Sequence, residues 1–168
     1  MSTPPSIGLR WTLKRSFLEY VARAPDGKAT VSAGATATSL NEILFEPDPR
    51  DHRTPSNAET FYAFRGAITF SAHFGMLMVR IADPWVTIEE NLGEVTVLDP
   101  YEDPGANARL RLATFEIADH RITDGLEHWT AALVRLASEG CVLFNDVYED
   151  GVLLDPLTII VPTRCGSD

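Results

Sequence analysis

The chain has 168 residues and a mass of 18.5 kDa, enough for one ordinary domain with a sizeable core. Its formal net charge of −10 argues against nucleic acid and against anionic membrane surfaces, because both select a basic face. Apolar residues make up 45% of the chain and charged residues 23%, proportions typical of globular domains.

The first predicted element is an amphipathic helix over residues 9–23. Apolar side chains recur there at the spacing of one helix face: Leu9, Leu13, Phe17, Tyr20 and Val21. Ser16 and Tyr20 are four positions apart, so they share a face. The turn-forming residues Pro25, Asp26 and Gly27 are predicted to end this helix.

After the helix the apolar residues alternate, which predicts β-strands. Short strands are predicted at 30–38 and 42–45, followed by a long proline-rich loop at 46–58. The longest alternating run is 59–74. Its two predicted sides differ in polarity: Ile68, Phe70, Ala72 and Phe74 on one, and Thr69, Ser71 and His73 on the other.

The rest of the chain continues the alternating pattern. Further strands are predicted at 76–82, 85–90, 94–98, 108–118, 128–132 and 157–161, with a loop at 99–107 and a second short helix within 133–146. The order contains no βαβ rhythm. The sequence therefore predicts a mainly β (α+β) fold, an antiparallel sandwich or barrel-like domain with two short α-helices. One domain is expected over 1–168, with its core at about 9–161.

Common catalytic and metal-binding patterns are missing from the sequence. The four histidines show no metal-ligand spacing, and two cysteines are too few for a disulfide framework or a structural zinc site. No hydrolase, zinc-protease or nucleotide-binding motif occurs. Neither a secretory signal nor a membrane-inserting segment is recognisable, so a cytoplasmic location is expected.

Tyr20 and His73 remain as candidate binding residues. Taken alone, Tyr20 can be a half-buried aromatic residue on a helix, and His73 a solvent-facing residue on the polar side of its strand. Taken together, a phenol and an imidazole on two rigid elements can supply an axial ligand to ferric haem and a partner that holds it.

Several segments resemble one known family. Residues 11–20 resemble the opening of the HtaA-type haem-binding domain of actinobacterial haem-uptake proteins, and residues 66–77 resemble that family's second motif. Asp83 with Pro84, the turn at Gly93 and residues 144–157 match its later landmarks in order. The resemblance covers about residues 9–161 and implies an HtaA-like fold.

The resemblance also implies a binding site. Tyr20 would ligate the iron of ferric haem b, His73 would hydrogen-bond to the tyrosine, and Ser16 would help to hold the haem. Weaker candidates for lining the pocket are Phe74, Phe144 and Tyr148. The haem is expected between the first helix and the polar side of the 59–74 run. Phe74 departs from the family, in which a glycine commonly follows the histidine.

A phenolate ligand has physical consequences. Ionising a free phenol at pH 7 costs about 4 kcal/mol, which a bond to Fe(III) and a hydrogen bond from the histidine would offset. A hard anionic oxygen favours Fe(III) over Fe(II), so the bound haem should have a low reduction potential.

Three functions remain open from the sequence. The first is an intracellular haem carrier or buffer, with a haem donor or acceptor protein as partner. The second is a cytoplasmic haem-dependent enzyme, oxidative, peroxide-using or biosynthetic, with a small-molecule substrate. The third is an interaction module without a cofactor. The sequence fixes neither the choice between them nor the oligomeric state.

Overall fold

The structure, a computed structural model, describes residues 7–38, 42–49, 59–103, 105 and 108–163. Within these ranges the chain forms one α-helix, α1 (Arg15–Arg23), and twelve β-strands. The strands are β1 (Gly8–Trp11), β2 (Lys28–Ser32), β3 (Ala35–Ala37), β4 (Ile43–Pro47), β5 (Glu59–Arg65), β6 (Ala67–Ala72), β7 (Leu77–Ala82), β8 (Trp85–Glu89), β9 (Leu92–Leu98), β10 (Arg109–Thr123), β11 (Leu126–Leu136) and β12 (Leu157–Pro162). Short 3-10 helices span His73–Gly75 and Ser138–Phe144.

Eight strands form a closed antiparallel barrel. Their order is β1-β12-β11-β10-β9-β8-β5-β4, and β1 also pairs with β4, which completes the ring. β3 and β5 both pair with β4, β3 with its first three residues and β5 with its last two. The predicted mainly β, antiparallel, barrel-like class is therefore confirmed. Among the described residues, no helix has the length and apolar character that a bilayer crossing requires.

A smaller sheet lies outside this ring. It has three strands in the order β2-β6-β7, all antiparallel. The 3-10 helix His73–Gly75 joins β6 to β7 as the tip of a hairpin. Helix α1 contacts both β2 and β6. This small sheet and α1 carry four of the six candidate residues, Ser16, Tyr20, His73 and Phe74.

The predicted first helix begins too early. Leu9 and Trp11 are fully buried on either side of the more exposed Arg10, which is the period-two pattern of a strand. These residues form β1, and Leu13 then takes a left-handed φ of 67° before α1 begins at Arg15. Leu9 and Leu13 thus have a helical spacing by coincidence, because Leu9 belongs to β1 and Leu13 to the linker between β1 and α1.

The alternating run 59–74 is two strands rather than one. Gly66, at φ 125°, separates β5 in the barrel from β6 in the small sheet. A Cβ atom there would lie 2.3 Å from the Ala35 nitrogen, so a side chain does not fit. The Gly66 amide donates a 3.0 Å hydrogen bond to Asp83 Oδ1. The chain therefore passes from one sheet to the other at Gly66, although the alternation of apolar residues continues across it.

The β10–β11 hairpin is longer than the sequence pattern indicates. Its strands have 15 and 11 residues and pair with register shifts that interrupt strict alternation. Leu133, at φ 49°, lies in β11, although the sequence predicted a helix from that position. The second predicted helix exists only as the 3-10 helix Ser138–Phe144. Of the predicted loop 46–58, residues 50–58 lie outside the described part of the chain.

Candidate functional site

The structure brings Tyr20 and His73 into contact. The Tyr20 hydroxyl and His73 Nε2 are hydrogen-bonded at 2.5 Å, although the residues are 53 positions apart in the chain. Their ring centroids lie 5.7 Å apart, with the planes inclined by 55°. Tyr20 keeps 50% of its surface exposed, so a ligand can approach it from solvent. The pair singled out from the sequence therefore forms one open site.

The buried face of α1 places Tyr20. Phe17, one turn earlier, packs edge-to-face against Phe70 of β6 and Phe144, with centroid distances of 5.1 Å and 5.3 Å. These contacts hold α1 on the side of β6 that carries Phe70. That side is opposite Thr69 and Ser71, so the expected placement of a haem between the helix and this polar face is wrong.

A left-handed turn places His73. The extended backbone of β6 ends at Ala72, and His73, Phe74 and Gly75 then have φ values of 54°, 57° and 86°. For non-glycine residues this conformation costs roughly 1–2 kcal/mol each. The turn aims His73 at Tyr20 and leaves Phe74 95% exposed. The prediction that Phe74 continues the apolar side of the strand is therefore wrong.

Asp26 stabilises this left-handed turn with two hydrogen bonds. The His73 amide donates to Asp26 Oδ1 at 2.9 Å, and the Phe74 amide donates to Asp26 Oδ2 at 2.5 Å. These bonds, that from Phe74 foremost, lower the pKa of Asp26 because they stabilise its charged form. Sequence reasoning treated Asp26 only as a turn residue, and no sequence signal links it to a histidine 47 positions away.

The remaining predicted residues lie on or beneath α1. Ser16 is exposed and hydrogen-bonds to the Tyr148 side chain. Tyr148 is half-buried and packs against Phe144, with ring centroids 5.6 Å apart. Phe144 itself is only 1% exposed, so it supports the site from below rather than lining its surface. Lys14, which the sequence did not single out, places its Nζ 5.5 Å from the centre of the Tyr148 ring.

The hairpin that carries His73 also carries exposed apolar side chains. Phe74, Met76 and Met78 are 95%, 86% and 55% exposed, and all belong to the β6–β7 hairpin. They provide an apolar border to an otherwise polar tyrosine–histidine pair.

The described histidines do not gather into a metal site. His120 stacks on Trp129 at a centroid distance of 3.6 Å and bonds to Glu127 at 2.7 Å, away from Tyr20. In the parts of the chain that the structure covers, no group of three or more His, Cys, Asp or Glu side chains is arranged to hold a metal ion. A cavity of about 490 Å³ opens between strands β8 to β11 and is lined by neither Tyr20 nor His73.

Replacing Tyr148 by phenylalanine is expected to reduce the sensitivity of the protein to alkali. Burial raises the pKa of Tyr148, and the nearby Tyr20 raises it further, whereas a hydrogen bond from Ser16 lowers it. The contribution of the neutral phenol to stability is therefore full below pH about 10 and lost as the pH rises through the folded-state pKa. Urea midpoints measured between pH 8 and 11 should fall less steeply for Tyr148→Phe. Tyr101→Phe, at a 60% exposed tyrosine, should keep the wild-type slope; equal slopes for both variants would contradict the expectation.

The molecule thus combines a closed barrel with a tyrosine–histidine pair that is formed between helix α1 and the β6–β7 hairpin. A family model, HtaA (Htaa), matches residues 6–160. The chain therefore belongs to the HtaA family. A search of curated proteins found no match.

Solved structures share the fold. The C-terminal domain of HtaA from Corynebacterium glutamicum is 22% identical, with a TM-score of 0.71, and the match covers 90% of this chain and 94% of that domain. The N-terminal domain of the same protein is 18% identical, with a TM-score of 0.71 and coverages of 93% and 96%. The haem-binding protein HtaB from that organism is 16% identical, with a TM-score of 0.60 and 90% coverage of both chains. At these identities the likeness confirms the HtaA-like fold.

Proposed function

We propose that this protein binds ferric haem b through the phenolate oxygen of Tyr20, with His73 as the hydrogen-bonding partner of that oxygen. The observation that carries the proposal is the 2.5 Å contact between the Tyr20 hydroxyl and His73 Nε2 on a half-exposed tyrosine. Membership of the HtaA family and the likeness to a haem-binding protein, HtaB, support it.

The residues present suit a haem. A phenolate is a hard anionic ligand that favours Fe(III). The exposed side chains of Phe74 and Met76 adjoin His73 and offer apolar surface to a porphyrin ring. Phe17, Phe144 and Tyr148 pack together beneath α1 and keep the helix that carries Tyr20 in place. Ser16, one helical turn before Tyr20, faces the same side and is the proposed further contact.

His73 has two tasks in this proposal. The Tyr20 hydroxyl must lose its proton when its oxygen becomes a ligand, and His73 Nε2 is 2.5 Å away to accept that proton. The imidazole then donates a hydrogen bond back to the phenolate. Such a charge-assisted bond is stronger than a neutral one and stabilises the anionic ligand. Burial raises the pKa of the second phenol, Tyr148, which makes Tyr148 harder to ionise than a free phenol.

We favour carriage or buffering of haem inside the cell over catalysis. Tyr20 is half-exposed and Phe74 is almost fully exposed, so the site is open. Enzymes gain most of their electrostatic stabilisation in sites that exclude water. Peroxide turnover by the haem-loaded protein should therefore be no faster than by free hemin, and faster turnover would favour the enzyme alternative. Cell fractionation tests the intracellular location.

Titration of the apoprotein with hemin tests haem binding directly. Binding should give a Soret band and the weak charge-transfer bands of a high-spin phenolate complex. A protein that stays colourless after removal of free hemin would overturn the proposal and leave an interaction module without a cofactor.

Replacing His73 by alanine is expected to weaken hemin binding about 10–100-fold, because partners of a metal ligand commonly contribute that much to affinity. The charge-transfer bands should shift but remain, since Tyr20 is still present. The change is measured by competition of each variant against a reference haem protein. His128→Ala, at a partly buried histidine in β11, is the matched control and should bind like the wild type. A His73→Ala variant with unchanged affinity would show that the imidazole does not assist the ligand.

A further inference from the structure

The turn after α1 is tied closely to the helix. The Ala24 amide donates to the carbonyl oxygens of Tyr20 and Val21, both at 3.2 Å, and the Gly27 amide donates to Ala24 O at 2.9 Å. A Cβ atom on Gly27 would lie 1.6 Å from the Val21 oxygen, so the chain folds back against the helix as only glycine permits. Asp26 lies in this turn. Its backbone is therefore held in a fixed position relative to Tyr20.

The Asp26 carboxylate reaches from this turn to the β6–β7 hairpin. Each carboxylate oxygen accepts one backbone amide, Oδ1 from His73 at 2.9 Å and Oδ2 from Phe74 at 2.5 Å. Both donors have left-handed φ values, 54° and 57°. Successive amides in such a turn point to the same side and form a small anion-binding concavity. Here the concavity is filled by a carboxylate of the protein itself.

Helix α1 and its turn therefore hold His73 at two points. The Tyr20 hydroxyl contacts the imidazole, and the Asp26 carboxylate contacts the backbone of the same residue. The first contact fixes the imidazole ring, and the second fixes the backbone that carries it. The residues of a binding site work well only when their neighbours hold them within about 0.5 Å of the productive geometry.

We infer that Asp26 is the positioning residue of this site: by binding the amides of His73 and Phe74, it holds the His73 imidazole against the Tyr20 oxygen. The effect of Asp26 on haem affinity rests on the proposed function. The contact itself exists without a ligand, so it can be tested in the apoprotein. The lowered pKa of Asp26 is consistent with a carboxylate that is charged when it accepts both bonds.

The first experiment measures amide hydrogen exchange in the apoprotein by NMR. Asp26→Ala should speed exchange at the amides of His73 and Phe74 while the amides within β6 and β7 keep their protection. Asp26→Asn keeps one acceptor oxygen and should expose only one of the two amides. Asp119→Asn, at an exposed position of β10, should change neither. Unchanged exchange in Asp26→Ala would overturn the inference, whether or not the protein binds hemin.

The second experiment is a double-mutant cycle read by hemin affinity and by the phenolate charge-transfer bands. Asp26→Ala should weaken binding about 10-fold and shift these bands in the direction that His73→Ala shifts them. Because Asp26 acts through His73, Asp26→Ala should have no further effect once His73 is alanine. Additive losses would show that Asp26 acts by another route and would overturn the inference. If the wild type binds no hemin, the proposed function fails, and the exchange experiment alone decides the role of Asp26.

Discussion

Tyr20→Phe is expected to abolish the phenolate charge-transfer bands and to weaken hemin binding by more than about 100-fold. The substitution removes one oxygen atom and keeps the aromatic ring, so the packing of α1 is preserved. Even residues that only orient a ligand contribute about 10–100-fold to metal affinity, and losing the ligand itself should cost more. His73 would then face an apolar ring edge and have no oxygen to bond.

The measurement is an absorption titration of both proteins with hemin at one pH and ionic strength. Tyr101→Phe is the matched control, because it removes the hydroxyl of an exposed tyrosine whose partner is Val142 O, outside the site. Charge-transfer bands that survive in Tyr20→Phe and vanish in a Tyr148 variant would assign the ligand to the other phenol.

Phe17→Ala is expected to lower the free energy of unfolding by about 3–5 kcal/mol, the usual cost of deleting a buried aromatic ring. Phe17 is 3% exposed and makes edge-to-face contacts with Phe70, Phe144 and Tyr148. No other side chain of α1 contacts as many aromatic rings among the described contacts. Its loss should loosen the helix and therefore also weaken hemin binding.

Phe64→Ala separates these two effects. Phe64 is fully buried in strand β5 of the barrel, so its removal should cost a similar unfolding free energy. Hemin affinity should, however, fall only for Phe17→Ala when both variants are measured under conditions where they are folded. Urea unfolding gives the stabilities, and absorption titration gives the affinities. Equal affinities for the two variants would mean that Phe17 does not position Tyr20.

Local patterns in the sequence predicted much of the fold. Alternation along 76–82, 85–90 and 94–98 gave strands close to β7, β8 and β9, because each lies in one sheet with one buried face. Prediction failed where two elements share a pattern. Leu9 and Leu13 belong to a strand and the linker before a helix, and the run through Gly66 serves two sheets.

The site was predictable only in part, for a similar reason. A resemblance carried by short segments pointed to Tyr20 and His73, and the structure brings the pair together. The left-handed turn at His73 and Phe74 has only a weak local signal, because histidine is enriched at positive φ but phenylalanine is not. The role of Asp26 depends on a contact with a residue 47 positions away, and no periodic pattern in the sequence predicts such a contact.

The tyrosine–histidine pair lies outside the closed barrel, between α1 and the β6–β7 hairpin. The buried side chains of α1 and the small sheet belong to the same apolar core as those of the barrel, while Tyr20 and Phe74 lie on the exposed side of these elements. Substitutions at such exposed positions can therefore alter the site with little effect on the unfolding free energy, whereas substitutions at buried positions such as Phe17 change both.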